Sequence, residues 1–427
     1  MRTQTFNDTQ VKRRQLVYIC DWLPPDFGAV GQYAMLSAHE WANQGWAVTL
    51  VGLTSGESIV EPTESVGQGT IEVTRVHRPH YDKQCFGTRL VWTVCSNLLL
   101  LRAAFGAIRR ADTVLFTGSP PLMLHFIAPL NALLRKHLIY RVCDFYPECF
   151  IAERDRKGLL LDLLLRLTNF WRRRVDCFEV LGVDQARRLV EIGIAEGRIR
   201  LSRNPSPVAF TPGLKPLTLP SELRAESGII LYSGNWGIAH DENTFVEAYS
   251  EYRLQSKRGL ALWLNAVGAK ADRIETTLRS RGLPVYRSTL VSLEDLPRLL
   301  LAVDVHLITL RDNFVGYVLP SKVHACIESG KRILFVGSER SDIHVLASDG
   351  VLSGRYRRVN VGDVGELVNA LHAMERAIRS ERNRDGVCGA VIEHVLPPSQ
   401  SSLLSSRMML EDKAGQVDPT YVRLLRN

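Results

Sequence analysis

One stretch of the sequence decides the fold: Ile229-Ile-Leu-Tyr-Ser-Gly-Asn-Trp-Gly-Ile-Ala-His-Asp241, followed by a helical pattern at 244–252. It opens with a continuous apolar run, as expected for a strand whose parallel sheet is covered by helices on both faces. The run ends in a glycine-containing turn that leads into the helix. A strand, a turn and a helix in this order form one unit of an α/β fold.

The same succession recurs from end to end of the chain. Short apolar runs that predict strands lie at 16–20, 47–53, 71–77, 113–117, 138–143, 177–181, 199–202, 229–233, 261–267, 305–310 and 333–336. Longer helical patterns separate most of them. The regular alternation predicts an α/β protein with doubly wound parallel sheets.

A proline-rich stretch interrupts the alternation once. Between 204 and 227 the chain carries Pro205, Pro207, Pro212, Pro216 and Pro220, which cannot continue a helix or a central strand. We therefore predict a Rossmann-like domain at 15–205, a linker at 206–227, a second Rossmann-like domain at 228–390 and a tail at 391–427. Ligands of such domains bind beyond the carboxyl ends of the strands, so a central cleft between the two sheets is the expected site.

Composition excludes several classes of protein. Of the 427 residues 45% are hydrophobic and 23% are charged, which excludes disorder, fibrous repeats and a polytopic membrane protein. The net charge of +8 suits an anionic partner. No stretch interleaves basic and aromatic residues as nucleic-acid-binding modules do, so we expect no nucleic acid as a partner.

The cysteines and the N-terminal residues bear on location. The eight cysteines form no CxxC pair, and the first fifteen residues lack the apolar core of a secretory signal. No run reaches the roughly 18 consecutive apolar residues of a spanning helix. We therefore expect a cytoplasmic protein. Two leucine-rich basic stretches, 89–110 and 158–174, fit either helices packed on a sheet or peripheral contact with the cytoplasmic face of a membrane.

The first candidate binding segment follows the first strand. Gly28 and Gly31 lie where a helix begins, and backbone N–H groups at such a turn can approach an anion. The spacing does not match the G-x-G-x-x-G dinucleotide fingerprint, so a purely structural turn is equally consistent with it. The corresponding turn of the second domain contains Gly234 and Asn235, next to His240.

The most informative segment is 316–331. Pro320 and Gly330 bracket a predicted helix of about nine residues, with proline in its first turn and glycine just past its end. Ser321 and Lys322 then place a hydroxyl and an ammonium beside free N–H groups, an arrangement that can hold a diphosphate without a metal. An ordinary helix start with a solvated lysine is the alternative.

A further candidate is Asp144, which follows the predicted strand at 138–143. A carboxylate at a strand end can orient sugar hydroxyls or act as a base, although it can also cap the next helix. Metal catalysis has little support, because His77 and His80 form the only close histidine pair and no carboxylate completes a ligand set.

Taken together, these segments resemble bacterial family 4 glycosyltransferases, most closely the subgroup that builds O-antigen, colanic-acid-type and other exopolysaccharide repeat units. The resemblance covers about residues 16 to 375. It rests on an ordered set of motifs: Pro24-Pro-Asp-Phe-Gly-Ala-Val-Gly31, Ser119-Pro-Pro121, Asp144-Phe-Tyr-Pro-Glu148, Arg203-Asn-Pro205, Tyr232-Ser-Gly-Asn-Trp-Gly237, Leu319-Pro-Ser-Lys322 and Ser329-Gly-Lys331.

The resemblance implies a GT-B fold and transfer of a sugar from a nucleotide-sugar, with retained configuration, to a sugar or polyprenyl-diphosphate-linked acceptor. It implies that Gly28 and Gly31 approach the donor diphosphate from the first domain. Ser321 and Lys322 would hold it from the second domain, with Gly234 and Asn235 beside them. Departure of a nucleoside diphosphate concentrates negative charge on phosphate oxygens, which makes Lys322 the first candidate catalytic residue. Asp144 is the second, as a group that orients the acceptor, with a leaving-phosphate oxygen as the alternative acceptor of the proton. No metal or other cofactor is expected.

The sequence departs from the family at two places. Many members carry two glutamates eight positions apart that contact the donor sugar and the ribose, where this chain has Tyr317 and Ala325. Many also carry an arginine and a lysine where this chain has Asn235 and His240. Tyr317, Glu328 and His240 are therefore the candidates for sugar and ribose contacts, although Glu328 is equally a solvated helix residue.

These departures keep two other functions open. A GT-B subunit that binds a nucleotide-sugar without catalysis would retain the fold and lose the glutamates. A sugar-nucleotide 2-epimerase would share the two-domain shape and release an epimerised sugar without an acceptor.

Overall fold

The computed structural model describes residues 13–26, 28–79, 86–154, 158–256, 258–348, 350, 352 and 354–387. The predicted tail at 391–427 lies outside these residues, as do His80, Cys85 and Cys388. Contacts divide the chain into two units. The first comprises the described parts of Met1–Pro147, Gly158–Glu179 and Gly193–Arg200, and the second those of Glu148–Lys157, Val180–Ile192 and Leu201–Asn427.

The first unit is built on a mostly parallel sheet. Its strands are β1 (Gln15–Trp22), β2 (Ala47–Thr54), β3 (Ile59–Val60), β4 (Glu64–Val66), β5 (Gly69–His77), β6 (Thr113–Thr117), β7 (His137–Val142), β8 (Cys177–Val180) and β9 (Ile199–Leu201). Their order is β3-β5-β2-β1-β6-β7-β8-β9, and the short strands β3 and β4 pair antiparallel with β5. β1 lies at the centre, parallel to both β2 and β6.

The second unit contains a fully parallel sheet. Its strands are β10 (Gly228–Asn235), β11 (Leu260–Val267), β12 (Val285–Ser288), β13 (Val305–Thr309), β14 (Arg332–Val336) and β15 (Tyr356–Val359). They run in the order β12-β11-β10-β13-β14-β15. The order reverses between β10 and β13, which makes the carboxyl ends of these two strands the expected place for a ligand.

Helices connect the strands in both units. They are α1 (Ala29–Asn43), α2 (Phe86–Arg110), α3 (Leu124–Leu134), α4 (Glu148–Arg154), α5 (Leu159–Arg172), α6 (Val183–Glu191), α7 (Asn243–Gln255), α8 (Ala269–Ser280), α9 (Leu296–Ala302), α10 (Lys322–Glu328), α11 (Asp342–Ser348) and α12 (Val364–Val387). Short 3₁₀ helices lie at Glu196–Arg198, Ser221–Leu223 and Asp312–Phe314. Helices α4 and α6 belong to the second unit although their neighbours in sequence belong to the first.

Each sheet buries its own core. In the first unit the strand residues Tyr18, Leu50 and Leu115 pack with Ala34 and Ala38 of α1. In the second, buried residues of β10, β11, β13 and β14 pack with α7, α8 and α12. Burial of both sheet faces accounts for the continuously apolar strands of the sequence.

The α/β class and the two Rossmann-like parallel-sheet domains are confirmed, and each predicted strand is present to within about two residues. Four observed strands, β3, β4, β12 and β15, were absent from the prediction. β3 and β4 are short and mostly exposed, while β12 and β15 are edge strands with polar residues such as Arg287 and Arg358. None of them shows the apolar run that identifies a strand buried on both faces.

The proline-rich segment at 206–227 packs on the second sheet. Val208 and Leu223 are buried against Ile229 and Leu231 of β10, and the backbone N–H of Leu217 donates to the carbonyl of Arg298 at 3.0 Å. The prolines exclude an α-helix or a central strand here, but the apolar residues between them contribute to the core of the second unit.

The two glycines at the start of α1 are in different environments. The φ angle of Gly28 is −174°, an extended conformation open to any residue, and a Cβ there would meet Trp22 at an ordinary 3.6 Å. A Cβ on Gly31 would lie 1.7 Å from the carbonyl oxygen of Trp22. The first turn of α1 therefore packs directly against the end of β1, and only glycine fits at position 31.

We expect Gly31→Ala to destabilise the first unit by at least about 2 kcal/mol, lowering its melting temperature by about 4 °C or more, because a backbone carbonyl occupies the space of the added methyl group. Gly28→Ala is the matched control and should change the melting temperature by less than about 2 °C. Differential scanning calorimetry of both variants checks this. Equal melting temperatures would contradict the packing role of Gly31.

Candidate functional site

The amine of Lys322 is the most unusual polar group of the second unit. Lys322 begins α10, and its Nζ lies 3.3 Å from the ring centroid of Tyr232 in β10. The Nζ atom is inaccessible to solvent and has no hydrogen-bond partner within the part of the chain that the structure describes. No carboxylate among the described residues forms an ion pair with it. The structure thus buries a cationic group with an aromatic face as its main neighbour.

Aromatic rings and a histidine surround this amine. Trp236 stacks on Tyr232 with the ring centroids 3.7 Å apart, and the ring of His240 meets Tyr232 edge-on at 5.8 Å. The Nδ1 of His240 lies 2.6 Å from the carbonyl oxygen of Thr309, at the end of β13. Tyr232 also donates to the carbonyl of Asn235 at 3.2 Å. The cluster therefore sits at the carboxyl ends of β10 and β13.

Burial sets the protonation of this cluster. It lowers the pKa of Lys322 to about 7. Burial, together with the nearby positive charge of Lys322, lowers the pKa of His240 to about 3, so the imidazole is neutral at physiological pH. Near pH 7 the site holds one amine poised between its two protonation states, and no carboxylate of the described residues stabilises the ammonium.

The backbone beside this cluster is uncovered. Gly234 adopts a φ of +108°, which favours glycine, and a Cβ there would meet no atom within 4 Å. Asn235 is exposed at the end of β10. Ser321 is exposed just before α10, and its side chain makes no capping hydrogen bond. These residues leave polar groups accessible around the buried amine.

Helix α10 is shorter than the predicted nine residues. It spans seven, Lys322–Glu328, and Gly330 follows it with a φ of +66°. The structure therefore has the predicted glycine beyond the helix end. The alternative of a solvated lysine does not describe the structure, because the Nζ of Lys322 is buried.

Two of the three candidates for sugar and ribose contacts, Tyr317 and Glu328, contact other side chains of the protein. The ring of Tyr317 lies 4.8 Å from the guanidinium carbon of Arg188 in α6. Glu328 lies at the far end of α10, and its carboxylate interacts with the hydroxyl of Ser206. Ala325 is buried. Of the sequence candidates, His240 is the one that the structure places beside Lys322.

A second polar cluster lies in the first unit, where β1, β6 and β7 end side by side. Asp144 follows β7, Asp21 lies near the end of β1, and Ser119 follows β6 and donates to Asp21 at 2.5 Å. Burial, and next the negative charge of Asp21, raise the pKa of Asp144 to about 6. Asp144 is thus a carboxyl group with the protonation range of a general base.

Sequence reasoning missed several members of both clusters. Asp21 ends a predicted strand just as Asp144 does, so the same argument would have found it. Tyr232 and Trp236 flank the predicted glycine turn, but nothing in their spacing indicates a stack under a lysine. In the first unit, the packing of Gly31 against Trp22 accounts for that glycine without a ligand. Gly28 precedes α1 in an open conformation.

Metal ligands and thiols contribute little to these clusters. Among the described residues, no group of three or more His, Cys, Asp or Glu side chains is placed to hold a metal ion. The six cysteines in the described part of the chain are free thiols.

No protein-family model and no curated protein matches the sequence. Solved structures do match. The HepE protein of Anabaena, determined with UDP and glucose, is 12% identical over 87% of this chain and 95% of its own, with a TM-score of 0.56. The α,α-trehalose 6-phosphate synthase of Burkholderia multivorans is 13% identical over 93% of this chain and 96% of its own, at 0.56. The UDP-forming α,α-trehalose-phosphate synthase of Burkholderia vietnamiensis is 12% identical over 93% and 99%, at 0.55.

The chain has the GT-B fold. TM-scores of 0.55 to 0.56 over 87% to 93% of this chain show a shared architecture, and identities of 12% and 13% limit the likeness to the fold. The GT-B fold predicted from the ordered motifs is confirmed on this basis. Chemistry must be argued from the site itself, because one fold hosts several activities.

We expect Lys322→Met to stabilise the protein by roughly 1–3 kcal/mol at pH 7, because methionine fills the same space without a buried amine. The pKa of Lys322 is lower in the folded state, so the unfolded chain binds the extra proton between about pH 7 and 10.5. Wild-type stability should therefore rise over this interval, and the advantage of the variant should shrink. Urea unfolding from pH 6 to 10 measures both effects. Lys215→Met, at an exposed position, is the control and should leave the stability unchanged. If Lys322→Met were only as stable as wild type at pH 7, the cost assigned to the buried amine would be contradicted.

Proposed function

We propose that this chain is a glycosyltransferase that moves a sugar from a nucleoside-diphosphate sugar to a sugar or lipid-linked sugar acceptor. The observation that carries the proposal is the buried amine of Lys322 at the carboxyl ends of β10 and β13, for which the described part of the chain provides no carboxylate partner. A buried ammonium is costly when no anion compensates it. A ligand that brings its own negative charge, such as a diphosphate, removes this cost.

The chemistry of transfer fits this arrangement. The bond from the anomeric carbon to the diphosphate oxygen breaks, and a bond to the acceptor oxygen forms. Negative charge then concentrates on the leaving diphosphate, where the ammonium of Lys322 stabilises it. A cation already in place, in surroundings with little water, supplies this stabilisation without reorganisation. The uncovered backbone at Gly234 and the hydroxyl of Ser321 provide further polar contacts on the same unit.

Asp144 is proposed to receive or orient the acceptor hydroxyl on the first unit. With a pKa of about 6 it is mostly ionised at neutral pH and retains the basicity to accept a proton. Asp21 contributes by its charge, which helps keep the pKa of Asp144 above the usual range of an aspartate.

The solved relatives in fold suggest which donor to try first. The Anabaena structure holds UDP and glucose, and the Burkholderia vietnamiensis synthase is described as UDP-forming. We therefore propose a uridine diphosphate sugar as the first donor to test. Retention of anomeric configuration and a role in bacterial surface polysaccharide synthesis are proposed on the resemblance of the ordered motifs. In this proposal Lys322 supplies the cationic charge, so no metal or other cofactor is required.

A non-catalytic subunit that binds a nucleotide-sugar is the second candidate. The positions of the two family glutamates favour it, because Tyr317 is stacked with Arg188 and Ala325 is buried. Neither position can supply a carboxylate to a donor sugar or a ribose. Binding of a donor without turnover would distinguish this candidate from an enzyme.

We expect the affinity for UDP to depend on Lys322 and on pH. Lys322→Met should weaken binding about 100-fold, because the charge-assisted contact to the diphosphate is lost. Above pH 7 the free amine must gain a proton to bind, so wild-type affinity should weaken by up to about tenfold per pH unit, while the variant stays flat. UDP is about 90% ionised or more above pH 7, since the second pKa of a phosphate is about 6, so its own titration contributes little to this pH dependence.

Isothermal titration calorimetry from pH 6.5 to 9 measures these affinities. Lys331→Met is the matched control. Lys331 lies at the amino-terminal end of β14, whereas Lys322 lies near the carboxyl ends of the strands of the same sheet. Unchanged UDP affinity in Lys322→Met would refute the diphosphate site. UDP release from a panel of UDP-sugars and acceptors then separates the functions. A UDP-sugar that binds without release of UDP identifies a non-catalytic subunit. An epimerised sugar that forms without an acceptor identifies an epimerase.

We expect Asp144→Asn to lower kcat by about 10²–10⁴, because the general base is lost, while UDP affinity stays unchanged. Wild-type turnover should rise with pH through about 6 as Asp144 loses its proton. Steady-state rates from pH 5 to 8 with an active donor and acceptor check both expectations. Asp112→Asn is the control, because Asp112 lies at the amino-terminal end of β6, whereas Asp144 follows the carboxyl end of β7. If turnover of Asp144→Asn still rose through pH 6, the titrating group would be another residue.

A further inference from the structure

Helix α5 presents its apolar side to solvent. Leu159, Leu160 and Leu163 are 91%, 83% and 65% exposed, and Leu167 and Phe170 are also exposed. From Leu159 onward these residues recur at the three- to four-residue spacing of one helix face. A soluble helix normally turns such a face toward the core, so this orientation needs a cause.

Polar residues on the inner side of α5 fix its orientation. Thr168 is buried, with its hydroxyl 3.0 Å from Nε2 of His125 in α3. Arg172 is also buried, donates to the carbonyl of Tyr146 at 3.2 Å and lies over the ring of Phe145. A rotation of α5 that turned the leucines inward would carry Thr168 and Arg172 outward and break these contacts. The structure therefore commits the leucines to the outside.

Two neighbouring helices continue this apolar surface. α3 contacts both α2 and α5, and its Leu133 is 81% exposed. On α2 the exposed apolar residues are Leu90, Val91, Leu98 and Phe105. We call the exposed apolar residues of α2, α3 and α5 the leucine face.

Within the described residues, Gly87–Arg110 of α2 is the one segment long and apolar enough to cross a membrane, with a mean hydropathy of 1.6. The sequence expectation of no such segment was therefore too narrow, because it counted only unbroken apolar runs. α2 nevertheless packs on β1, β2 and β5, with Leu100, Ala104 and Ile108 buried. These contacts identify it as a helix of the first unit with one outward face.

The charges around the leucine face are almost all positive. α2, α3 and α5 contain a single acidic residue, Asp162, which is paired with Arg166 at 3.0 Å. The same helices contain five arginines that are not buried, Arg89, Arg102, Arg109, Arg110 and Arg166, whereas Arg172 is buried on the inner side of α5. An apolar surface with this excess of positive charge is complementary to a partner surface that is both apolar and anionic.

A cavity of about 400 Å³ lies beside the leucine face, next to the carboxyl ends of α3 and α5. Its lining includes the cationic groups of Arg135, Lys136 and Arg174, together with His137 and Asp176. Leu138 donates its backbone N–H to Asp176 at 2.7 Å, so this carboxylate is already engaged. Cations at the border of an exposed apolar surface match the level of lipid phosphates beside acyl chains.

We propose that the leucine face docks on an anionic lipid bilayer, with the cationic cavity receiving lipid phosphate groups. The exposed leucines of α5 enter the boundary between headgroups and acyl chains, and α2, α3 and α5 lie along the surface. A protein partner would need acidic groups for Arg135 and Arg174 as well as an apolar surface, whereas an anionic bilayer supplies both at once. This inference concerns the location of the protein, and it holds whether or not the proposed transfer reaction is correct.

Vesicle flotation tests the proposal with the full chain. Wild-type protein should float with vesicles of phosphatidylcholine containing 30% phosphatidylglycerol, and much less with phosphatidylcholine alone. Leu163→Gln/Leu167→Gln should lower the partition coefficient at least about tenfold. Arg135→Gln/Arg174→Gln should lower it by about fivefold per arginine on the anionic vesicles and leave binding to neutral vesicles unchanged.

The matched controls lie in the second unit. Leu254 is 85% exposed on α7, and Arg357 is exposed on β15, so Leu254→Gln and Arg357→Gln should bind vesicles like wild type. Unchanged melting temperatures show that the variants fold. Absence of wild-type flotation, or equal losses in the controls, overturns the proposal. A wild-type dimer that Leu163→Gln/Leu167→Gln converts to a monomer also overturns it and identifies a second copy as the occupant.

Discussion

The candidate site depends on one interaction, the amine of Lys322 held against the ring of Tyr232. Cation–π attraction contributes about 2 kcal/mol in a desolvated position, which is less than the several kcal/mol that removing an ammonium from water costs. The lowered pKa of Lys322 expresses this imbalance. A fold that retains such a residue gives up stability at one point, and a binding site for an anion is the simplest physical reason for that loss.

Much of the architecture could be predicted because its cause is local. The apolar runs that became β1, β10 and β13 are strands buried on both faces, and this burial leaves a clear pattern in the sequence. Edge strands such as β15 have one exposed border and polar residues, so they leave no such pattern. The helix that begins at Lys322 was found because Pro320 and Gly330 mark its ends.

The character of the site could be predicted only in part, since it depends on long-range packing. The sequence indicated that Lys322 follows a turn, but the stack of Tyr232 and Trp236 forms across a strand and a loop that no spacing rule connects. In the same way, the raised pKa of Asp144 depends on Asp21, which lies far from it in sequence and reaches it through the order of β1, β6 and β7. Charge coupling of this kind requires knowledge of the sheet topology.

Helix α5 illustrates the limit of pattern reasoning most directly. Its leucine spacing is the same for a helix that faces a core and for one that faces outward, so the sequence left both interpretations open. The orientation of α5 depends on two polar residues, Thr168 and Arg172. Their buried hydrogen bonds form only when the leucines face outward. A rotation that buried the leucines would break these hydrogen bonds and the contact between Arg172 and the ring of Phe145. The inward polar contacts therefore set the orientation of the helix, and its apolar surface remains available for a second solvent, the lipid bilayer.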